Sequence, residues 1–154
     1  SGAYKLVDRS QESDFNPGFN VVHIMSSGAM IPEVVSASNL LLKEGIYANV
    51  VNVTGPGPLY RLFQESIKST ITGDYQKMAF LSDVVPVQER SAPVVTVVDG
   101  HPHSLAWLGG ALGTSIFPLG VSGYGQSGTP SELYREYGID SSSIVEACFG
   151  ALGI

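Results

Sequence analysis

The sequence predicts an α/β domain with a mostly parallel sheet and helices on both faces. Two apolar runs, 21–25 and 93–98, show no strict alternation with polar residues, which is typical of strands buried on both faces. A segment with helical spacing of apolar residues follows each run, and this strand–helix order repeats along the 154 residues. Because that length is typical of a single domain, we expect residues 1–154 to form one domain.

The prediction is organised around a strand–helix–strand unit between residues 93 and 122. A β-branched run ends at Asp99, and a second apolar run occupies 114–122. Between them a helix is predicted, with either Pro102 as its first residue or Ser104 as its cap. Short links of this kind predict a right-handed crossover between parallel strands. The apolar residues of the helix lie at helical spacing: Leu105, Ala106, Leu108 and Leu112.

The other elements are predicted from the same periodicities and from the positions of glycine and proline. Residues 80–90 receive no regular element, because Pro86 argues against a long one. The assigned elements are an edge strand at Ala3–Val7, a loop at 8–20, a strand at 21–25, a helix at 29–44 ended by Gly45, a strand at 47–54, a helix at 59–69, a loop at 70–76, a short helix at 130–137 ended by Gly138, and a final helix capped by Asp140 or Ser141.

Each of the two longer helices carries an apolar face that we expect to pack on the sheet. Both faces recur every three or four residues, which is the spacing of one side of a helix. In the helix at 29–44 the expected buried residues are Val34, Val35, Ala37, Ser38, Leu41 and Leu42. In the helix at 59–69 they are Leu59, Leu62, Phe63 and Ile67.

Charge and composition argue against several classes of partner. The net charge is −6 with eight Lys and Arg, which form no stripe that would bind nucleic acid or an anionic membrane. The single cysteine, Cys148, lies in an apolar helical pattern and is interpreted as a packing residue in a reducing, cytoplasmic compartment. No apolar run of membrane-spanning length occurs. The low charged content of 14%, with a start at Ser1 rather than Met, leads us to expect a fragment of a longer chain.

Two glycine-containing turns are candidates for binding an anion or a nucleotide. The pattern Gly123-x-Gly125-x-x-Gly128 matches a dinucleotide fingerprint, but no strand with a terminal acidic residue follows it. We therefore interpret it as a loop that leads to the closing helices. The turn at 26–29 joins a strand to a helix, whose free backbone amides could bind an anion. A turn that caps the helix and packs on a neighbouring domain is the favoured interpretation.

His101 and His103 are the candidate chemical side chains. They lie two residues apart after a buried strand, where open α/β sheets place ligands. A metal would need at least one more ligand, for which Asp99 is adjacent in sequence and His23 lies in another strand. Catalysis would need a nucleophile or a substrate site beside them. A helix-capping turn, or a contact with a neighbouring domain, is the favoured interpretation.

Several short motifs occur along the chain in one order. They are Gly-Ala-Tyr-Lys-Leu at 2–6, Met-Ser-Ser-Gly-Ala-Met at 25–30, Val-Val-Asn-Val-Thr-Gly at 50–55, Ala-Pro-Val-Val at 92–95, Gly-Val-Ser-Gly-Tyr-Gly-Gln-Ser-Gly-Thr at 120–129, Tyr-Gly-Ile-Asp at 137–140 and Ile-Val-Glu-Ala at 144–147. Their order resembles the carboxy-terminal domain of the transketolase family of thiamine diphosphate enzymes. The length of 123–140 is most similar to that in the homodimeric, decarboxylating first component of pyruvate dehydrogenase. Gln126, Gly128 and residues 99–103 depart from that pattern.

The resemblance implies a three-layer fold with a mostly parallel five-stranded sheet and one antiparallel edge strand. It also implies that the parent enzyme binds thiamine diphosphate and a magnesium ion between its other domains. This domain would supply no catalytic, cofactor-binding or metal-binding residue. It would pack on the other domains of the parent chain, contribute to a homodimer and, in related complexes, hold the acyltransferase core. If any residue reaches the active-site entrance, we expect His101 and His103.

The main hypothesis is therefore a non-catalytic structural and dimerisation domain of a pyruvate dehydrogenase first component, inactive as an isolated fragment. Such a parent decarboxylates pyruvate and transfers the acetyl group to lipoyl. The first alternative is the carboxy-terminal domain of a transketolase. The second is a stand-alone doubly wound nucleotide-binding module that uses the turns at 26–29 and 123–128. The third is a free-standing enzyme that uses His101 and His103.

Overall fold

A five-stranded sheet lies at the centre of the described residues. The computed structural model describes residues 2–73, 79–123 and 128–154. The strand order across the sheet is β1-β3-β2-β4-β5; β1 pairs with β3 in the antiparallel direction and every other pair is parallel. The mostly parallel sheet with one antiparallel edge strand is therefore confirmed. The strands are β1 Ala3–Val7, β2 Val21–Ser26, β3 Tyr47–Val53, β4 Val94–Val97 and β5 Ile116–Leu119.

Helices cover both faces of this sheet and complete the predicted three layers. The helices are α1 Ile31–Lys43, α2 Pro56–Ile71, α3 Ala79–Val84, α4 His103–Ala106, α5 Leu108–Leu112, α6 Pro130–Glu136 and α7 Ser141–Leu152. Helices α1 and α7 pack together on one face, where Ile24, Leu41 and Cys148 belong to one buried cluster. Helices α2 to α5 cover the other face, where Met25 and Leu105 belong to a second cluster.

Helix α1 follows its predicted span closely, but its buried face is narrower than predicted. Val34, Ala37, Ser38 and Leu41 are buried, whereas Val35 is half-buried and Leu42 is exposed. The start of α7 packs beside α1, where the backbone N–H of Ser141 donates to Glu33 Oε2 at 2.8 Å. Asp140 caps α7 by accepting a hydrogen bond from the Ser143 N–H, which settles the choice left open between Asp140 and Ser141.

The prediction for α2 is wrong in its start and in its buried face. The helix begins at Pro56, whose fixed φ suits a first turn, rather than at Leu59. Among its residues, all of which the structure describes, Leu59 alone is buried. Leu62 and Ile67 are exposed and Phe63 is half-buried. The helix therefore touches the sheet through its first turns and leaves most of its apolar side chains at the surface.

The link between β4 and β5 contains two short helices instead of the single predicted one. Pro102 is the N-cap of α4, so it is not the first helical residue and Ser104 is not the cap; both predicted starts are wrong. The helix is interrupted at Trp107, which separates α4 from α5. Gly109 lets α5 approach β5, because a Cβ there would lie 2.8 Å from Ile116 Cγ2. Gly120 allows a second close approach, between the end of β5 and the turn after β4. A Cβ added at Gly120 would lie 2.6 Å from the Gly100 carbonyl oxygen.

Short helices occupy the remaining segments. Helix α3 and a 3-10 turn at Val87–Glu89 flank Pro86, which agrees with the absence of a long regular element. Helix α6 ends one residue before its predicted end, and Gly138 follows with φ of 69°. The predicted loop at 70–76 begins two residues late, because α2 continues to Ile71, and residues 74–76 lie outside the described residues. Within the described ranges, none of the helices combines the length and apolar character that crossing a bilayer requires.

Candidate functional site

His101 and His103 lie after the carboxyl end of β4, as predicted. Both side chains are exposed, and their rings meet edge to face with centroids 4.8 Å apart. The backbone N–H of His103 donates to Nδ1 of His101 at 3.2 Å, so one imidazole satisfies a free amide at the start of α4. This contact supports the helix-capping interpretation of His101.

A surface cleft of about 480 Å³ lies between this turn and the first turn of α2. Aromatic rings form its wall: Trp107 stacks on Phe63 with centroids 5.5 Å apart, and Tyr60 meets Trp107 edge to face at 5.3 Å. The Trp107 indole N–H donates to the Ser104 carbonyl oxygen at 3.2 Å. The cleft is lined by Pro56, Gly57, Tyr60, His103, Ser104 and Trp107. It can therefore accept apolar or aromatic groups, with the imidazole of His103 among its lining groups.

The sequence did not reveal this aromatic wall. Tyr60 and Phe63 are three residues apart, a spacing that places them on one side of a helix. Their contact with Trp107 joins segments more than forty residues apart in sequence, and no local pattern predicts it. The less favoured interpretation, in which His101 and His103 bind a ligand or reach an active-site entrance, stays a prediction.

His23 does not join the other two histidines. It lies in β2, fully buried, and pairs in register with Val94 at the start of β4, whereas His101 and His103 follow the end of β4. Its Nε2 lies 3.3 Å from the Glu89 carbonyl oxygen, to which it donates as the neutral tautomer. Burial lowers the pKa of His23 to about 4. His23 is therefore neutral in the folded chain at pH 7.

A buried carboxyl group that the sequence did not reveal belongs to Glu89, whose backbone carbonyl oxygen contacts His23. Glu89 is only 4% exposed, and burial raises the pKa of its carboxyl group, although the charge of Lys5 acts in the opposite direction. Lys5 Nζ lies 3.9 Å from Glu89 Oε2 and 3.6 Å from Asp8 Oδ2. The alternation of β1 was the sequence feature that pointed to a buried partner for Lys5, because it places Lys5 on the inward side of the strand with Ala3. These ion pairs hold the segments before β2 and before β4 against β1.

The turn at 26–29 is engaged in packing. The Ser26 hydroxyl donates to the Val97 carbonyl oxygen at 2.6 Å and ties β2 to β4. Ser27 makes no side-chain cap to the 3-10 turn Gly28–Met30 that follows it. The Ser26 contact lies within the sheet and Ser27 forms no side-chain cap, so the predicted capping role gains no support, and packing on a neighbouring domain stays a prediction.

Most of the glycine pattern 123–128 lies outside the described residues, since 124–127 are among those not described. The short helix α6, which comes next in the chain, has its own cap. Thr129 Oγ1 accepts from the Glu132 N–H, and Glu132 Oε2 accepts from the Thr129 N–H at 3.1 Å. This capping box places a carboxylate where a dinucleotide fingerprint would need a pyrophosphate.

The described residues show no site for the magnesium ion that accompanies thiamine diphosphate. They contain no group of three or more His, Cys, Asp or Glu side chains that could hold a metal ion. In the part of the chain that the structure describes, no carboxylate lines the cleft beside His103, and Mg²⁺ binds through carboxylate and phosphate oxygens. No catalytic step through that cofactor is therefore assigned to these residues.

Comparison with known proteins gives one family and one fold. The family described as "Transketolase-like TK C-terminal domain" matches residues 2–140. No curated protein sequence matches the chain. A transketolase from Leishmania mexicana superposes with a TM-score of 0.66 at 24% identity, over 99% of this chain and 18% of its own. A transketolase from Campylobacter jejuni subsp. jejuni superposes with a TM-score of 0.64 at 20% identity, over 97% of this chain and 18% of its own.

In a third solved structure, the region that superposes on this chain makes up a larger share of the polypeptide. A split gene transketolase, described as an inactive β4 tetramer, superposes with a TM-score of 0.56 at 25% identity, over 90% of this chain and 44% of its own. The chain thus spans about a fifth of the length of the other two transketolases. The family match extends over nearly all of the chain and agrees with the observed strand order. The chain therefore belongs to the transketolase-like carboxy-terminal domain family.

Proposed function

We propose that this chain is the non-catalytic carboxy-terminal domain of a transketolase. In that enzyme it packs on the other domains and contributes to the dimer. The proposal rests on the family match, which covers residues 2–140 of the 154. Nearly the whole chain superposes on transketolases, yet it spans only 18% of two of them. A domain of that share leaves most of the enzyme, and the binding of thiamine diphosphate and Mg²⁺, to other parts of the parent.

The split gene transketolase supports a structural role. That protein is described as inactive while forming a β4 tetramer, and this chain covers 44% of it. A polypeptide that contains a domain of this fold thus assembles without activity. The proposal includes a homodimeric parent in which the domain adds contact surface, and an isolated 154-residue chain without turnover. A reducing, cytoplasmic location agrees with the single, buried Cys148.

The runner-up is the first component of a pyruvate dehydrogenase, the main hypothesis from the sequence. The length of 123–140 favours it. The three solved structures described above are transketolases, which is why we place that enzyme first. Decarboxylation of pyruvate with acetylation of lipoyl, and an acyltransferase core as partner, belong to this second candidate alone.

Titration calorimetry of the 154-residue chain tests the proposal, with thiamine diphosphate plus Mg²⁺ in one series and NAD in another. We expect no binding heat in either series, and binding of thiamine diphosphate by the full-length parent polypeptide. Saturable binding of thiamine diphosphate to the isolated chain would overturn the assignment of the cofactor to other domains. Saturable NAD binding would instead favour the nucleotide-binding module.

A further inference from the structure

An apolar stripe runs along the outer side of α2. Tyr60, Phe63, Ile67 and Ile71 recur at intervals of three, four and four residues, which places them on one side of the helix. Tyr60 is 41% exposed, Ile67 45% and Ile71 79%, while Phe63 is half-buried. We call these four residues the α2 stripe. At 1.5 Å per residue the stripe is roughly 16 Å long.

The α2 stripe is continuous with the aromatic cleft. Trp107 stacks on Phe63 and contacts Tyr60, so the apolar surface extends from the link between α4 and α5 to the end of α2. The opposite side of the helix carries Arg61, Glu65 and Lys68, all of them exposed, as expected for a face in water. A contiguous apolar surface beside a charged one marks an interaction site in proteins.

The beginning of the chain lies next to this surface. The Gly2 carbonyl oxygen accepts from the N–H groups of Thr54 at 2.8 Å and Gly55 at 3.0 Å. A Cβ at Gly2 would lie 3.0 Å from Leu59 Cγ, so residue 2 packs on the first turn of α2. Transketolases of this fold have most of their chain outside the matched region. A polypeptide that precedes Gly2 in the parent would reach the domain beside the α2 stripe.

We propose that the α2 stripe, with Trp107, is the surface on which the thiamine diphosphate-binding part of the parent enzyme docks, through an apolar helix face of its own. This inference rests on the proposed function. It adds which surface of the domain makes the contact and which part of the parent binds there. Among the described residues no element covers this apolar side of α2, and the proposal assigns the covering layer to the rest of the parent.

Thiol footprinting tests the proposal with a matched pair on one helix. Ile67→Cys places a thiol on the stripe, and Glu65→Cys places one on the charged side. Both positions are exposed, so the fold is expected to be retained, which circular dichroism checks. The native Cys148 is buried and gives no background. Each variant is made in the 154-residue chain and in the full-length parent polypeptide, and labelling at each position is quantified by mass spectrometry.

In the full-length parent, the thiol of the Ile67→Cys variant should react at least about tenfold more slowly than in the 154-residue chain, because docking excludes the reagent. The Glu65→Cys variant should react at similar rates in both. Equal rates for the Ile67→Cys variant in the two polypeptides would overturn the proposal. Protection that appears in the 154-residue chain alone and grows with its concentration would also overturn it, since a second copy would then be the occupant.

Binding of thiamine diphosphate to the same full-length samples separates this inference from the proposed function. If the parent binds the cofactor while the Ile67→Cys variant remains fully reactive, the docking surface is wrong and the proposed function stands. If the parent binds no cofactor, the proposed function fails, and the proposed docking partner fails with it.

Discussion

Replacing His23 should remove a large part of the pH dependence of stability. The side chain is fully buried in β2, and its Nε2 donates a hydrogen bond to the Glu89 carbonyl oxygen at 3.3 Å. The charged groups that act on its pKa are Lys5 and Asp8. Burial lowers the pKa of His23 from 6.5 to about 4, because a charged imidazole would lose its hydration. Protonation of His23 is therefore coupled to unfolding.

Linkage gives the direction and size of the effect. Between pH 6.5 and 4 the unfolded chain binds a proton at His23 that the folded chain does not, so the free energy of unfolding falls as the pH falls. Above pH 6.5 this loss is absent. Between pH 7.5 and pH 5 the two pKa values correspond to a loss of about 2 kcal/mol. Glu89 has a raised pKa and contributes with the opposite sign, so the effect must be read as a difference between variants.

Urea denaturation at pH 7.5 and at pH 5 measures the effect on the unmodified chain, on His23→Gln and on the control His103→Gln, which changes an exposed histidine. The unmodified chain and the control should lose about 2 kcal/mol more than His23→Gln between the two pH values. Only the pH-dependent part is compared, because His23→Gln also changes packing. If His23→Gln loses as much stability as the control, within about 0.5 kcal/mol, the argument from burial is refuted.

Burial and close packing lead to three further predictions. Leu59→Ala should destabilise the chain by about 2–5 kcal/mol in urea denaturation, because Leu59 is buried. Leu62→Ala, at an exposed site of the same helix, should change stability by less than about 0.5 kcal/mol. Comparable losses for the two variants would contradict the burial of Leu59 and the exposure of Leu62. Gly109→Ala should destabilise by about 1–3 kcal/mol through its clash with β5, whereas Gly110→Ala, with open space around it, should stabilise by about 0.5–1 kcal/mol in the same assay; equal effects would disprove the close approach. The Cys148 thiol, whose burial raises its pKa to about 12, should react with a thiol reagent about a hundredfold more slowly in the folded chain than in urea; rapid reaction of the folded chain would rule out the packing role.

Sequence patterns were sufficient to locate the five strands and the longer helices, including the two buried strands at the centre of the sheet. Every residue of β2 and of β4 is buried, as their apolar runs predicted. Gly45 and Gly138 adopt φ of 76° and 69° where helices were predicted to end. These features depend on residues that are neighbours in sequence, so local periodicity and backbone preference were enough to find them.

The candidate site was found only in part. His101 and His103 were located because they follow an apolar strand, a feature visible in the sequence. The aromatic wall beside them, and the contact between His23 and the Glu89 carbonyl oxygen, join residues from distant segments. Neither contact has a local signature, since each depends on which segments the topology brings together.

The sequence by itself determined which segments form the five strands and the longer helices, that these build a three-layer domain, and that α2 has an apolar side. Only the tertiary structure decided that this side stays exposed, with Ile67 at the surface although it repeats Leu59 in the helical pattern. Periodicity reports that a helix face is apolar, whereas burial depends on whether another element lies against that face. In this domain the sheet and its neighbouring helices contact the first turns of α2, so Leu59 is covered and the α2 stripe is left for a partner.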